Sequence, residues 1–339
     1  MSGTAITVLK QEGQKNLNKL KKIVRLVLVL ICIVYMVRYF YQNRATLNIV
    51  FNIDLTTILS MIALILLYYP AQASLMRVIL EKCSDKKLPF FGWFRIFILS
   101  SLLNMVLSQA GNVYRAVKLK SEYNISYTRY ISSFISFAWM DLCINLFIST
   151  LIIIFFKPDL QIGRLIAWKI LLVAIIVVVA TPILVEILWR KIKFSHSRLS
   201  WLHSRTSEVL TVSVNNIKDF KYLAKIILIN MVLFICVTCL LHFCFQVLDA
   251  HIDIATLVIF YALLKISSYI NLTPGNLGIQ ELAYGFLGTQ MGIGMAQSIL
   301  ASAVMRIAGT SVFAVLAVIF GGINLLRHRR DYAENRPLS

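Results

Sequence analysis

The sequence predicts an all-α fold: a polytopic transmembrane helical bundle with two opposed re-entrant, broken helical hairpins. Of 339 residues, 59% are hydrophobic and 14% charged, and the mean hydropathy is +0.77. A soluble core cannot hold so many apolar side chains. Helix-breaking and polar residues interrupt two of the apolar stretches, and Lys and Arg cluster beside those stretches. The net charge of +19 therefore indicates membrane topology rather than a nucleic-acid partner.

Eight apolar segments can be compared with the roughly 20 residues that a spanning helix needs. They cover residues 23–41, 55–76, 93–108, 130–156, 165–189, 223–248, 254–272 and 296–326. The first follows a basic stretch but has no small-residue cleavage site, so we interpret it as an uncleaved anchor. The predicted domains are a basic cytoplasmic segment over 1–22, a transmembrane domain over 23–326 and a basic cytoplasmic tail over 327–339.

Positive charge predicts how the segments are oriented. Basic residues before residue 26, in 77–87, in 115–129, in 190–221 and after 326 place these regions, and both termini, in the cytoplasm. The short segment 93–108 then lies between two cytoplasmic connections, which predicts a hairpin that turns near Gly111. The region 254–294 begins and ends outside, which predicts a second hairpin, bent around Pro274.

The second break is rich in residues that interrupt a helix. Pro274 removes a backbone donor, and Gly275 and Gly278 relax the backbone. Its polar side chains are Asn271, Asn276, Gln280 and Glu281. Thr273 and Pro274 suit a helix start whose free N–H groups would form an anion site. The alternative is a proline kink in which Asn271 and Asn276 cap the freed backbone groups.

Charged residues lie within the apolar segments, where each costs about 2.5–3.5 kcal/mol if unpaired. They are Asp141, Lys265, Glu281 and Arg306, with Arg115 one turn after the first break. Two acids against three bases leave one positive charge, which suits an anionic group such as a lipid phosphate. The alternatives are closed structural pairs, Asp141–Arg306 or Lys265–Glu281, and for Arg115 a role in topology alone.

We assign no catalytic or binding role to two other groups of residues. Cys236, Cys239, His242 and Cys244 do not share one helix face, so we expect no metal site. Tyr68 and Tyr69, among other aromatics near segment ends, are interpreted as interfacial anchors. The chain has no nucleotide-binding motif, and we expect no cofactor.

Two stretches resemble the lysylphosphatidylglycerol synthase transmembrane-region family, the flippase-like domain of bacterial multiple peptide resistance factor proteins. One runs from Asn104 to Asp141 and contains Gly111-Asn-Val-Tyr-Arg115 and Ser132-Ser133. The other is Pro274-Gly-Asn-Leu-Gly-Ile-Gln-Glu281, followed by Arg306. The chain departs from the family pattern by lacking a proline in 104–115. It also has Asn112 where an acid is common, Asn276 in place of a glycine and Gln280 in place of a base.

The resemblance implies a stand-alone member in the bacterial cytoplasmic membrane that moves a polar lipid head group between leaflets. Arg115, Lys265 and Arg306 would neutralise an anionic head group, and Glu281 and Asp141 would orient these bases or bind an amine. Hydrogen bonds would come from Asn112, Asn271, Asn276 and Gln280. No aminoacyltransferase domain accompanies the segment, so we expect no enzyme activity of that kind. We expect a membrane lipid as the substrate and enzymes of envelope-lipid or glycolipid synthesis as partners.

Two alternatives remain open at this point. The chain could be a membrane enzyme for a lipid-linked substrate, with Glu281 or Asp141 as the acid–base group, although one carboxylate is weak evidence for catalysis. It could also be a scaffold for an envelope synthase that docks through the cytoplasmic loop 190–222.

Overall fold

The computed structural model of the chain describes residues 53–107, 109–191, 219–269 and 273–334. Within this part the fold is all-α, as predicted, with one two-stranded hairpin between helices. The first predicted segment, 23–41, the basic segment 1–22, Asn271 and most of the loop 190–222 lie outside the described residues. For the tail, only the backbone of residues up to 334 is described.

The elements follow one another in the order that the apolar segments predict. The helices are α1 (Leu55–Ser84), α2 (Phe90–Val106), α3 (Ala110–Tyr123), α4 (Tyr127–Phe156), α5 (Ala167–Lys191), α6 (Phe220–Gln246), α7 (Ile254–Ser268), α8 (Ile279–Gln290) and α9 (Met295–Glu334). Strands β1 (Gln161–Ile162) and β2 (Leu165–Ile166) pair antiparallel between α4 and α5. A 3₁₀ turn, Pro274–Asn276, stands between α7 and α8.

Among the described residues, four helices are long and apolar enough to cross a membrane. They are Leu55–Ser84, Tyr127–Phe156, Phe220–Gln246 and Met295–Phe320. Four helices begin at a residue whose side chain accepts a backbone N–H from the first turn, which satisfies one of the free donors there. These N-caps are Asp54, Ser126, Asp219 and Asp253.

Ion pairs and hydrogen bonds show which helix ends lie together. At one end, which we call the basic end, Lys82 Nζ of α1 lies 2.8 Å from Asp219 Oδ2 at the start of α6. There Arg129 of α4 also donates to the Ser84 carbonyl of α1 over 2.9 Å. At the opposite end, Lys157 Nζ after α4 lies 2.8 Å from Asp253 Oδ2 before α7.

The two broken hairpins enter the bundle from these two ends. Helix α2 begins at the basic end, where Phe94 contacts Phe320 of α9, and α3 returns there with Glu122 bonded to Arg95 over 3.1 Å. Helix α7 begins at the opposite end, after its N-cap Asp253. Helix α8 runs back towards that end, because Oε1 of its last residue, Gln290, would lie 3.5 Å from a Cβ on Gly163, between β1 and β2. The structure therefore confirms a helical bundle with two opposed hairpins.

The hairpins meet where their chains are broken. A Cβ added to Gly275 would lie 3.6 Å from Met105 Cα, so the backbone of the second break rests directly on the end of α2. Two apolar cores flank this contact. One is built mainly from α1 and α2 at the basic end, the other mainly from α6 and α7, and Tyr69 packs against both.

Candidate functional site

Asp141 and Lys265 form a buried ion pair at mid-depth. Asp141 lies at the middle of the 30-residue α4, and its side chain is 2% exposed. Lys265, in the last turn of α7, places Nζ 2.7 Å from Asp141 Oδ2 and is 12% exposed. Tyr269 donates to the same oxygen over 2.6 Å, and Asn145 Nδ2 donates to Asp141 Oδ1 over 3.0 Å. Asp141 is thus held from both α4 and α7.

This pair lines a cavity of about 410 Å³ between α1, α4, α6, α7, α8 and α9. The size falls in the range of small-ligand sites. Apart from the ion pair and Ser268, its polar lining consists of five tyrosines and two glutamines. They are Tyr68, Tyr69, Gln72, Tyr261, Tyr269, Gln280 and Tyr284. The cavity therefore offers one acid, one base and many neutral donors and acceptors.

Glu281 and Arg306 form a second pair, which closes the break. Glu281 is 2% exposed, and its Oε1 lies 2.6 Å from Arg306 Nη2 and 2.7 Å from Nε. The other carboxylate oxygen accepts the Gly278 N–H over 2.6 Å, while Arg306 Nη1 donates to the Gly275 carbonyl over 2.8 Å. Both side chains of the pair thus bind the backbone of the broken segment.

This arrangement corrects the prediction of an anion site at Thr273 and Pro274. Helix α8 begins at Ile279, after a 3₁₀ turn and Gly278 with φ 85°. Because the carboxylate of Glu281 already accepts the Gly278 N–H, a negative group of the chain itself occupies the helix start. Thr273 Oγ1 instead donates to the Leu277 carbonyl over 2.8 Å.

The pairings suggested by the sequence alternatives are also wrong. Asp141 pairs with Lys265 rather than Arg306, and Glu281 pairs with Arg306 rather than Lys265. The two pairs are neighbours, because Gln280 lines the cavity and its Oε1 lies 3.5 Å from Arg306 Nη2.

Arg115 lies apart from both pairs, in the first hairpin. It is 4% exposed and donates to Ser100 Oγ over 2.9 Å and to Ser101 Oγ over 3.3 Å. Its guanidinium lies over the rings of Phe97 and Trp93. No carboxylate of the described residues pairs with it, so Arg115 is the surplus cation that the charge count predicts.

The first hairpin is also held by hydrogen bonds near its turn. The Gly111 N–H donates to Asn104 Oδ1 over 2.8 Å, and Asn112 Nδ2 donates to Gln109 Oε1 over 2.6 Å. Asn276 of the second break is buried, with no partner for Oδ1 in the described part of the chain. The predicted site residues are therefore divided among the cavity, the closed break and the first hairpin, and do not all line the same cavity.

Sequence reasoning missed the tyrosines and Asn145. Tyr68 and Tyr69 line the cavity instead of anchoring the chain at an interface. One signal was available: Tyr261, Lys265 and Tyr269 are spaced four residues apart, as are Asp141 and Asn145, and this spacing places side chains on one helix face.

The comparisons with known proteins agree with the fold. The family model described as lysylphosphatidylglycerol synthase TM region matches residues 22–317. The chain belongs to this family. No curated protein and no solved structure gives a match. Membership of this family and the apolar helices together make the chain a multi-pass integral membrane protein. Among the described residues, no group of three or more His, Cys, Asp or Glu side chains is arranged to hold a metal ion.

Proposed function

We propose that this family member binds the polar head group of a membrane lipid in the cavity and moves it between leaflets. The observation that carries the proposal is the Asp141–Lys265 pair, buried at mid-depth and facing a cavity of about 410 Å³. Ionisable groups within a membrane are costly, and they commonly mark a substrate path.

The two opposed hairpins support a translocation path. Broken helices that meet near the midplane are typical of transporters in which either side of a central site opens in turn. Here the break at Gly275 rests on Met105 of the first hairpin, and Gln280, next to this contact, lines the cavity. Movement of either hairpin would change access to the cavity from its own end of the bundle.

The lining suits a head group that carries a phosphate. The Lys265 ammonium supplies a positive charge, and the tyrosine hydroxyls and the amides of Gln72 and Gln280 supply neutral hydrogen bonds. The acyl chains would stay in the bilayer. We propose translocation rather than catalysis because Asp141 is the one carboxylate among the lining residues of the cavity, and a lone carboxylate is weak evidence for catalysis.

We place the protein in a bacterial cytoplasmic membrane, with the basic end and both termini towards the cytoplasm. Enzymes that make or use the transported envelope lipid or glycolipid would be its partners.

The test is head-group movement in proteoliposomes. The movement of tail-labelled phosphatidylglycerol would be followed by its exposure to a membrane-impermeant quencher. The rates would be compared for wild type, Lys265→Met and Lys157→Met. Lys157 is a matched control because it also pairs with an aspartate, over 2.8 Å, but at an exposed position at the opposite end. We expect Lys265→Met to slow lipid movement about tenfold or more. A tenfold change corresponds to about 1.4 kcal/mol in the activation free energy of translocation.

Lys157→Met should move lipid at the wild-type rate. Equal rates for wild type and Lys265→Met, with both proteins folded, would contradict the proposed site. Failure of wild-type protein to move this lipid or a glycolipid would contradict the function itself.

A further inference from the structure

Lys265 is the cationic partner of the buried Asp141 side chain. The Asp141 side chain is 2% exposed, and Lys265 Nζ, 2.7 Å away, is the one cationic group that pairs with it among the described residues. The other groups bonded to its oxygens, Tyr269 Oη and Asn145 Nδ2, are neutral donors. A buried carboxylate is stable as an anion when it is paired, and costs several kcal/mol when its partner is removed.

No other described charge around the pair replaces Lys265. The titratable groups that line the cavity with it are Tyr68 and Tyr69 of α1, Tyr261 and Tyr269 of the α7 region and Tyr284 of α8. From α6, Cys236 interacts with Tyr68 and Tyr261, and the α6 residues that line the cavity are Val237 and Leu240. Arg306 of α9 is already bound to Glu281 and to the Gly275 carbonyl.

An anionic head group in the cavity would compete with Asp141 for Lys265. A lipid phosphodiester needs a cation in a site of low dielectric, and Lys265 is the ammonium that the cavity offers. Once Lys265 turns to the phosphate, the Asp141 carboxylate has no positive partner. An ionised carboxylate left in such a place is neutralised by a proton rather than kept charged.

We propose that binding of an anionic lipid head group in this cavity is coupled to uptake of one proton by Asp141. The inference rests on the proposed function for its ligand. The carboxylate–ammonium contact breaks, a phosphate–ammonium contact forms, and a proton from water bonds to Asp141. The charge of the site is zero before and after the exchange, since one negative charge enters with the lipid and one positive charge with the proton. Release of the lipid returns the proton and restores the ion pair.

Polar side chains along α4 offer the proton a route. Asn145 and Ser149 follow Asp141 at four-residue intervals, and so continue one ridge of the helix towards the opposite end. Both are buried, and within the part of the chain that the structure describes neither Asn145 Oδ1 nor Ser149 Oγ has a hydrogen-bond partner; the same is true of Thr238 Oγ1 of α6. Buried polar atoms of this kind are usually bonded to internal water, and such water conducts protons.

The experiment measures protons and lipid together. Short-chain phosphatidylglycerol would be added to the purified full-length protein in detergent and weak buffer, with a pH indicator for protons and calorimetry for binding. Its phosphodiester does not change charge between pH 6 and 8. We expect the protein to take up about one proton per lipid bound. The affinity should therefore fall about tenfold for each unit by which the pH rises.

The Asp141→Asn variant should bind this lipid with no proton uptake and with an affinity that does not depend on pH. Asp253→Asn, which removes an exposed carboxylate, should behave as wild type in both measurements. Binding by wild type without proton uptake, or the same uptake by Asp141→Asn, would overturn the coupling and leave the proposed function standing. Wild-type protein that binds neither this lipid nor a glycolipid would overturn the proposed function and the coupling with it.

Discussion

The two buried acid–base pairs have similar chemistry and different surroundings. Besides pairing with each other, Glu281 and Arg306 form hydrogen bonds with the backbone of the break, at Gly278 and Gly275. Asp141 instead accepts a hydrogen bond from the side chain of Tyr269, and Lys265 faces a cavity. The first pair therefore fixes the chain, and we propose that the second exchanges partners with a ligand. A buried pair alone says little about function; what surrounds its other polar atoms decides between the two roles.

The largest expected effect on stability comes from Arg306→Met. The change leaves Glu281, 2% exposed, without a cation and frees the Gly275 carbonyl, so we expect a loss of about 3 kcal/mol. Equilibrium unfolding in mixed micelles measures it. The matched change, Lys265→Met, should cost clearly less, because Tyr269 and Asn145 still bind Asp141 and a proton can neutralise it. A larger loss in Lys265→Met would reverse the roles of the pairs.

A smaller loss of stability is expected for alanine substitutions at the glycines of the two breaks, and it should differ between the two hairpins. A Cβ on Gly111 would lie 1.6 Å from the Ser100 carbonyl oxygen, so Gly111→Ala must push α2 and α3 apart, at about 2 kcal/mol. Gly275 has room for a Cβ but has φ 56°, so Gly275→Ala should cost about 1 kcal/mol. The same unfolding measurement compares them, and equal losses would contradict the difference in packing.

Replacement of Arg115, the buried cation that pairs with no carboxylate of the described residues, should have a weaker effect still. Arg115→Met removes hydrogen bonds to Ser100 and Ser101 and the contact with two aromatic rings, but also a buried charge. Because these contributions oppose each other, we expect a change below about 1 kcal/mol in either direction. A loss as large as that of Arg306→Met in the same assay would show that Arg115 has a negative partner in the folded protein.

The smallest effect is expected at the exposed basic end. The hydrogen bond from the Lys82 ammonium, with that from the Tyr222 N–H, lowers the pKa of Asp219 below its ordinary value of 3.8. Its ionised form therefore stabilises the fold above that value, and the contribution is lost as the pH falls through the lower pKa of the folded state. The thermal midpoint of Asp219→Asn should lie slightly below that of wild type at pH 6 and approach it as the pH falls below 3.8. A constant difference would contradict this.

Much of the fold could be predicted from apolar length and positive charge. The order of segments, the short 93–108 segment and the break near Pro274 all follow from local composition, and the structure has helices and breaks in these places. The charged residues of the candidate site could also be picked out from the sequence, because a charge is conspicuous among apolar neighbours.

The partners of those residues could not be predicted. Which acid meets which base depends on how α4, α7, α8 and α9 are rotated against one another, and no local pattern encodes this. The start of α8 was misplaced because Thr273 and Pro274 give a local start signal, whereas the contacts of Glu281 with Gly278 and Arg306 fix the start at Ile279. The tyrosines were overlooked because the same residue type is common at membrane interfaces.

A structure of the protein in nanodiscs that contain an anionic phospholipid tests the central claim most directly. We predict a lipid phosphate within hydrogen-bond distance of Lys265 Nζ and a broken contact between Lys265 and Asp141. A lipid seen only around the bundle, with Lys265 and Asp141 still 2.7 Å apart in every class of particles, would contradict the account.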